Sequence, residues 1–236
     1  GKVDAMKNTG LAYNVKGEYN RALAQFAEAL ALALESGYIK GAGRIYHNTG
    51  IVYSNIGKYP EALENYYKAL KIREEIIDTL GTSSTVNGIG AIYFVQGKFD
   101  DALKYYLKSL ELSLKINYTS GVESAYANIG EVYFRQGKYD EAQESLLQSL
   151  KLTQKTGNTE TKSFISNLIA SIYLKQGKYE DAITAYQTSK QLAEEIGSQE
   201  YLSRSLLGLG DVYLALKQTD KALEYTRKGI SSAKQI

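Results

Sequence analysis

The sequence predicts an all-α chain: an α-solenoid of six helix-turn-helix units, about twelve antiparallel helices. Three observations predict it. The stretch Gln136 to Ala142, QGKYDEA, returns 40 residues earlier as Gly97-Lys98-Phe99-Asp100-Asp101-Ala102 and 40 residues later as Gly177-Lys178-Tyr179-Glu180-Asp181-Ala182. Further copies are Gly57-Lys58-Tyr59-Pro60-Glu61-Ala62, Gly17-Glu18-Tyr19-Asn20-Arg21-Ala22 and a worn Lys217-Gln218-Thr219-Asp220-Lys221-Ala222. Second, there is one Pro in 236 residues, as suits a chain of helices whose interiors exclude it. Third, many of the 21 Gly recur in phase, at turns and close contacts. In such an array each unit buries its apolar face only against its neighbours, so residues 1–236 read as one domain, with units at about 1–38, 39–78, 79–118, 119–158, 159–198 and 199–236.

Within a unit the elements follow in order. In the fourth, a first helix is expected over about 120–136 and a second over about 139–155, each roughly 25 Å long at ~1.5 Å per residue. Gly137 between them closes the first helix with a positive φ. Asp140, like Asp100, Asp220 and Asn20, is placed to cap the second, and Pro60 fills that slot harmlessly. Gly37, Gly157 and Gly197 end the units, with Ile77 and Asn117 standing in twice. The first helices carry Gly10, Gly50, Gly90, Gly130, Ala170 and Gly210, each followed three residues on by a Tyr. The second helices carry Ala22, Ala62, Ala102, Ala142, Ala182 and Ala222, then large Phe26, Tyr66, Tyr106, Leu146 and Tyr186, then small Ala29, Ala69, Ser109, Ser149, Ser189 and Gly229. Large-into-small at spacings of three and four is ridge-into-groove packing. Most of the 21 Tyr are therefore architectural.

Small–Tyr–Gly–Ala–large–Ala at these offsets, over essentially the whole chain, resembles the tetratricopeptide repeat. The unit is 40 residues long rather than the usual ~34. The longer form resembles the arrays of kinesin light chains, LGN-type regulators, Rap-type regulators and bacterial sensor regions. The resemblance implies a right-handed superhelix whose first helices line a concave groove that holds a peptide or partner helix.

On a helical wheel, first-helix positions equivalent to 6, 9, 10 and 13 form the core arc. Those equivalent to 4, 7, 8, 11, 14 and 15 oppose it, and the family geometry would make them the groove. The candidate binding residues are Lys7, Asn8, Arg44, His47, Asn48, Asn87, Phe94, Asn128, Glu131, Phe134, Arg135, Phe164, Asn167, Lys175 and Arg204. Three of the five Phe fall on this arc, and apolar groups rimmed by polar ones mark interaction sites. Small residues beside Phe94 and Phe134 would leave a roomy pocket at mid-groove. The alternative is that these rings pack on neighbouring helices. The Asn series offers donors and acceptors matched to a peptide main chain, and His47-Asn48 resembles the paired Asn of kinesin light chains with one member changed. Lys7 with Asn48 is only a fragment of a carboxylate clamp. Charges on second helices, such as Glu64 with Lys68, read as solvated faces.

Lys+Arg 28 against Asp+Glu 26 gives no electrostatic case for nucleic acid. No apolar run reaches the ~20 residues of a membrane span. With no Cys and a single His, neither disulfides nor a metal site are expected, and no nucleophile motif or phosphate loop stands apart from the repeat. The expectation is a non-enzymatic interaction scaffold without cofactors, whose partner is a protein or peptide segment. Self-association through the end repeats is a further expectation. The alternative is the sensor or coupling region of a larger bacterial signalling protein (histidine kinase, cyclase or transcription regulator). The absence of Cys suits the cytoplasm and also the periplasm, the latter if a leader was removed.

Overall fold

The computed structural model describes residues 1–235, and among these every regular element is a helix. In chain order they are α1 (Lys2–Val15), α2 (Tyr19–Glu35), α3 (Ile39–Asn55), α4 (Tyr59–Glu75), α5 (Thr79–Val95), α6 (Phe99–Lys115), α7 (Thr119–Arg135), α8 (Tyr139–Thr156), α9 (Thr159–Lys175), α10 (Tyr179–Glu195), α11 (Gln199–Ala215) and α12 (Thr219–Ala233). By their contacts they fall into two compact units, Gly1–Gly121 and Val122 onward. In the first, the hairpins α1/α2, α3/α4 and α5/α6 stack through α2 on α3 and α4 on α5, and the first helices α1, α3 and α5 lie side by side. In the second, α8 meets α9, α10 meets α11, and α9 lies beside α11.

The turns follow the expected chemistry. Gly137 has φ 75°, a conformation that costs a residue with a Cβ about 1–2 kcal/mol. Ile77 and Lys217 nevertheless adopt φ 57° and 59° at their turns. The second helices do not begin with the caps expected from the sequence. Their N-cap residues are Glu18, Lys98, Lys138 and Gln218, without side-chain cap hydrogen bonds. Asn20, Asp100, Asp140 and Asp220 lie two residues further in, and there the acidic ones meet the positive end of the helix dipole. Side-chain caps occur instead on first helices, α5, α9 and α11 among them. Asp78 accepts from the Gly81 amide (3.1 Å), Asn158 from Thr161 (3.0 Å) and Ser198 from Tyr201 (3.4 Å). The repeated Lys of the turn lies over the Tyr five residues before it: Lys98 is 5.6 Å from the Tyr93 ring centroid and Lys138 is 5.7 Å from that of Tyr133. Such contacts contribute about 0.5–1 kcal/mol at exposed sites.

The core is built from the large-into-small pairs. A Cβ on Gly50 would stand 2.8 Å from the Tyr66 ring, and one on Gly130 2.7 Å from Leu146. Tyr66 and Tyr186 also reach the next first helix, where a Cβ on Gly88 or Gly208 would meet their rings at 2.9 and 2.3 Å. Those two glycines lie on the arc assigned to the groove, yet they serve as sockets for core aromatics. A second complementary pair joins the start of each first helix to the end of its own second helix. Ser83 and Ser113 share a 2.7 Å hydrogen bond there. In the preceding repeat Gly43 faces Arg73, its Cβ position 3.7 Å from Arg73 Cγ. In the repeat beginning at α7 a fully buried Glu123 occupies the site, with its partner α8 supplying Ser149 and Thr156 as hydrogen-bonding neighbours.

A candidate peptide-binding wall

In the first unit the wall is made by α1, α3 and α5. Asp4 sits between Lys7 (3.7 Å) and Arg44 (4.0 Å), so these two cations of the wall are drawn to one internal carboxylate. Asn8 is exposed, while Asn48 and Asn87 are half-buried. Asn55 donates to the side-chain oxygen of Asn14 (3.1 Å), tying α3 to α1. His47 is wedged 5.5 Å from the Tyr66 ring, with Nδ1 3.4 Å from Thr85 Oγ1. Burial, helped by the Arg73 guanidinium, pushes its pKa down to about 3. The imidazole is therefore neutral at ordinary pH and adds no charge to the wall. Arg73 itself is buried behind it, donating from Nη1 to Gly81 O (2.6 Å) and Thr85 Oγ1 (2.5 Å). Phe94 is half-buried, its ring 5.7 Å from that of Phe99 at the start of the following helix.

In the second unit the wall is made by α7, α9 and α11. Phe134 repeats the Phe94 arrangement against Tyr139 (5.9 Å) and packs on the edge of the core that holds Ile165 and Ile169. Asn167, half-buried, donates to Ser205 Oγ (3.4 Å), which links α9 to α11, and Lys175 is exposed. A cleft of about 130 Å³ opens here, lined by Ser124, Ala127, Asn128, Glu160, Thr161, Phe164 and Tyr201. Phe164 and Tyr201 both line it in a tilted ring contact, centroids 6.4 Å apart and planes inclined by 57°. At its rim Glu131 pairs with Arg135 (3.5 Å) and Glu200 with Arg204 (2.7 Å). Burial raises the Glu131 pKa, opposed by Arg135 and then Arg204. Burial also raises the Tyr201 phenol, and the carboxylates of Glu160 and Glu200 add to that shift.

Four of the seven cleft residues lie on the arc read from the sequence: Ser124, Ala127, Asn128 and Phe164. The other three, Glu160, Thr161 and Tyr201, come from the first turns of α9 and α11. The helical wheel, drawn on mid-helix positions, gave no weight to them. The signal that marks Tyr201 is the side-chain cap at Ser198, which begins α11 two residues before Glu200 and so brings the first turn into register with the cleft.

Among the described residues no group of three or more His, Asp or Glu is placed to hold a metal ion, and no helix is long and apolar enough to cross a membrane. The arrangement offers hydrogen bonding, ring contacts and charge.

The sequence profile of the tetratricopeptide repeat matches residues 3–75, 81–155 and 163–235, and a second profile of the same repeat matches 127–195. No curated protein sequence matches the chain. Among solved structures, the chain is similar to apo RapI (16% identity, TM-score 0.76, covering 99% of this chain and 98% of that one). It is also similar to the Rap conjugation gene regulator of the plasmid pLS20 in complex with the Phr* peptide (15%, 0.73, 98% and 73%). A third is the putative kinesin light chain, with nearly identical TPR-like repeats, of Podosopora anserina (15%, 0.64, 82% and 96%). At these identities the likeness concerns the fold. With the profile matching in three stretches along nearly the whole chain, this protein belongs to the tetratricopeptide-repeat family.

Proposed function

We propose that the chain is a protein-interaction scaffold that holds a peptide or partner helix against its first helices, and that it carries out no reaction of its own. The observation that supports this most is the cleft of α7, α9 and α11, where two rings and the amide-bearing Asn128 line an open recess. Few convergent polar groups beside aromatic surface are the usual make-up of a recognition site. That a structurally similar regulator is seen with a bound peptide agrees with this reading. The binding set comprises Asn128, Glu131, Phe134, Arg135, Phe164, Asn167, Lys175 and Arg204 in the second unit. In the first it comprises Lys7, Asn8, Arg44, His47, Asn48, Asn87 and Phe94.

The test is a selection of displayed random peptides on the intact chain, followed by affinity measurements on the double variant Phe164→Ala, Asn128→Ala. Selected peptides should lose about tenfold or more in affinity, a loss of ~1.4 kcal/mol, while the helical circular dichroism persists. Equal affinity for both proteins would remove the cleft from the binding surface.

A further inference from the structure

The cleft in the second unit has a definite electrostatic character. One carboxylate, Glu160, lines it, and two more, Glu131 and Glu200, act on its Tyr201 from nearby, paired with the guanidiniums of Arg135 and Arg204. Each guanidinium is already paired, with Glu131 and Glu200 respectively, and Glu160 has no ion pair among the described residues although it lines the cleft directly. The tilted rings of Phe164 and Tyr201 line the same cleft, and aromatic faces attract cations. Ser124, Thr161 and the Asn128 amide add oxygen acceptors. The volume of about 130 Å³ matches the liquid share of roughly four waters at ~30 Å³ each, room for one side chain and too little for a helix.

We infer, building on the scaffold reading above, that this cleft takes a basic side chain, arginine or lysine, from the bound segment. The chain contains an internal precedent. Arg204 lies with its guanidinium carbon 6.0 Å from the Tyr201 ring centroid while paired to Glu200 at 2.7 Å. An incoming cation would repeat that arrangement on the Phe164 and Glu160 side of the same ring. An acidic side chain would meet Glu160 uncompensated, and an apolar one would bury that carboxylate without a partner, which is costly. The first unit's wall has the opposite balance, with Lys7 and Arg44 sharing Asp4, so the selectivity belongs to the second unit.

The experiment is an amide chemical-shift titration of the intact chain with three capped amino acids: N-acetyl-arginine methylamide and its citrulline and glutamate counterparts. Citrulline keeps the shape of arginine and removes the charge. The arginine probe should shift the Asn128, Thr161 and Tyr201 amides saturably and about tenfold more tightly than citrulline. Glu160→Gln, at an exposed position, should abolish most of that preference. Added salt should weaken arginine alone. Equal binding of arginine and citrulline, a preference for glutamate, or a preference that survives Glu160→Gln would overturn the inference. If no probe shifts these amides while selected peptides still depend on Phe164 and Asn128, the cation preference falls and the scaffold reading stands. If the peptides ignore both residues, the two fall together.

Discussion

The two compact units share one scaffold and differ in the charge each buries. The first holds Arg73 at the end of α4, and the second holds Glu123 near the start of α7. Both occupy the same complementary site of the repeat, which elsewhere pairs small residues such as Ser83 with Ser113. Arg73 fits because Gly43 opposite it has no side chain. Glu123 fits because α8 turns hydroxyls toward it, Thr156 donating to one carboxylate oxygen. Arg73 Nε and Glu123 Oε1 each lack a hydrogen-bond partner. The site therefore accepts one long polar side chain where the residue facing it is glycine or carries a hydroxyl, and small residues on both sides elsewhere. The walls differ in the same way: cations gathered on one Asp in the first unit, carboxylates around two rings in the second.

The largest expected effect tests whether the scaffolds are equivalent. Tyr66→Ala in the first unit removes a ring that fills the sockets at Gly50 and Gly88, and Tyr186→Ala in the second removes one that shares its core cluster with Ala170 and fills the socket at Gly208. Each should cost about 3–5 kcal/mol in urea unfolding; a pronounced inequality would show that the units do not rest on the same packing. Next come the buried charges. Arg73→Met keeps the volume and removes the donor to Gly81 O and Thr85 Oγ1, and should cost about 1–3 kcal/mol, whereas Glu123→Gln keeps an acceptor for Thr156 and should cost less. The reverse order would mean that the second unit depends on its buried polar group more than the first.

His47 belongs to the first unit alone. Its folded pKa of about 3 lies below the unfolded value near 6.5. Below about pH 6.5 the unfolded chain binds a proton that the folded chain refuses, so stability falls as pH drops from there toward 3. The slope approaches about 1.4 kcal/mol per pH unit. It is best read between about pH 6.5 and 5, above the carboxylate range, by following the unfolding midpoint. His47→Asn should flatten it; an unchanged slope would place its origin elsewhere. The smallest effect concerns the turns. Ile77, with φ 57° and its side chain largely exposed, should give about 0.5–1 kcal/mol of thermal stabilisation on Ile77→Gly, the relief of a left-handed conformation less glycine's added unfolded-state entropy. Lys217→Gly, at φ 59° in the second unit, should match or trail it, since lysine is not β-branched.

Much of the fold was legible because complementarity between glycine and a large side chain leaves a trace at fixed spacing. Gly50 with Tyr66 and Gly130 with Leu146 could be matched before any coordinates. The caps were misread because Asp100 and Asp140 satisfy the residue preference of a cap while lying two residues inside the helix, where the same charge serves the dipole. The candidate site was legible where it rests on mid-helix periodicity, as with Asn128 and Phe164. It was illegible at Glu160 and Tyr201, because first-turn residues are brought to the cleft by how neighbouring helices start. Gly88 and Gly208 carried a misleading signal: they share a helical face with the wall, and aromatic rings from the preceding hairpin claim the space.

By itself the sequence determined the helices, their turns and the register of large against small, since each depends on residues near in the chain or in phase with it. Only the tertiary structure decided that Arg73 and Glu123 are buried, that His47 is held neutral, and that Phe164, Tyr201 and Glu160 share one recess. Burial, proton affinity and proximity across helices are properties of what packs against a residue, and a residue's own identity does not specify its neighbours.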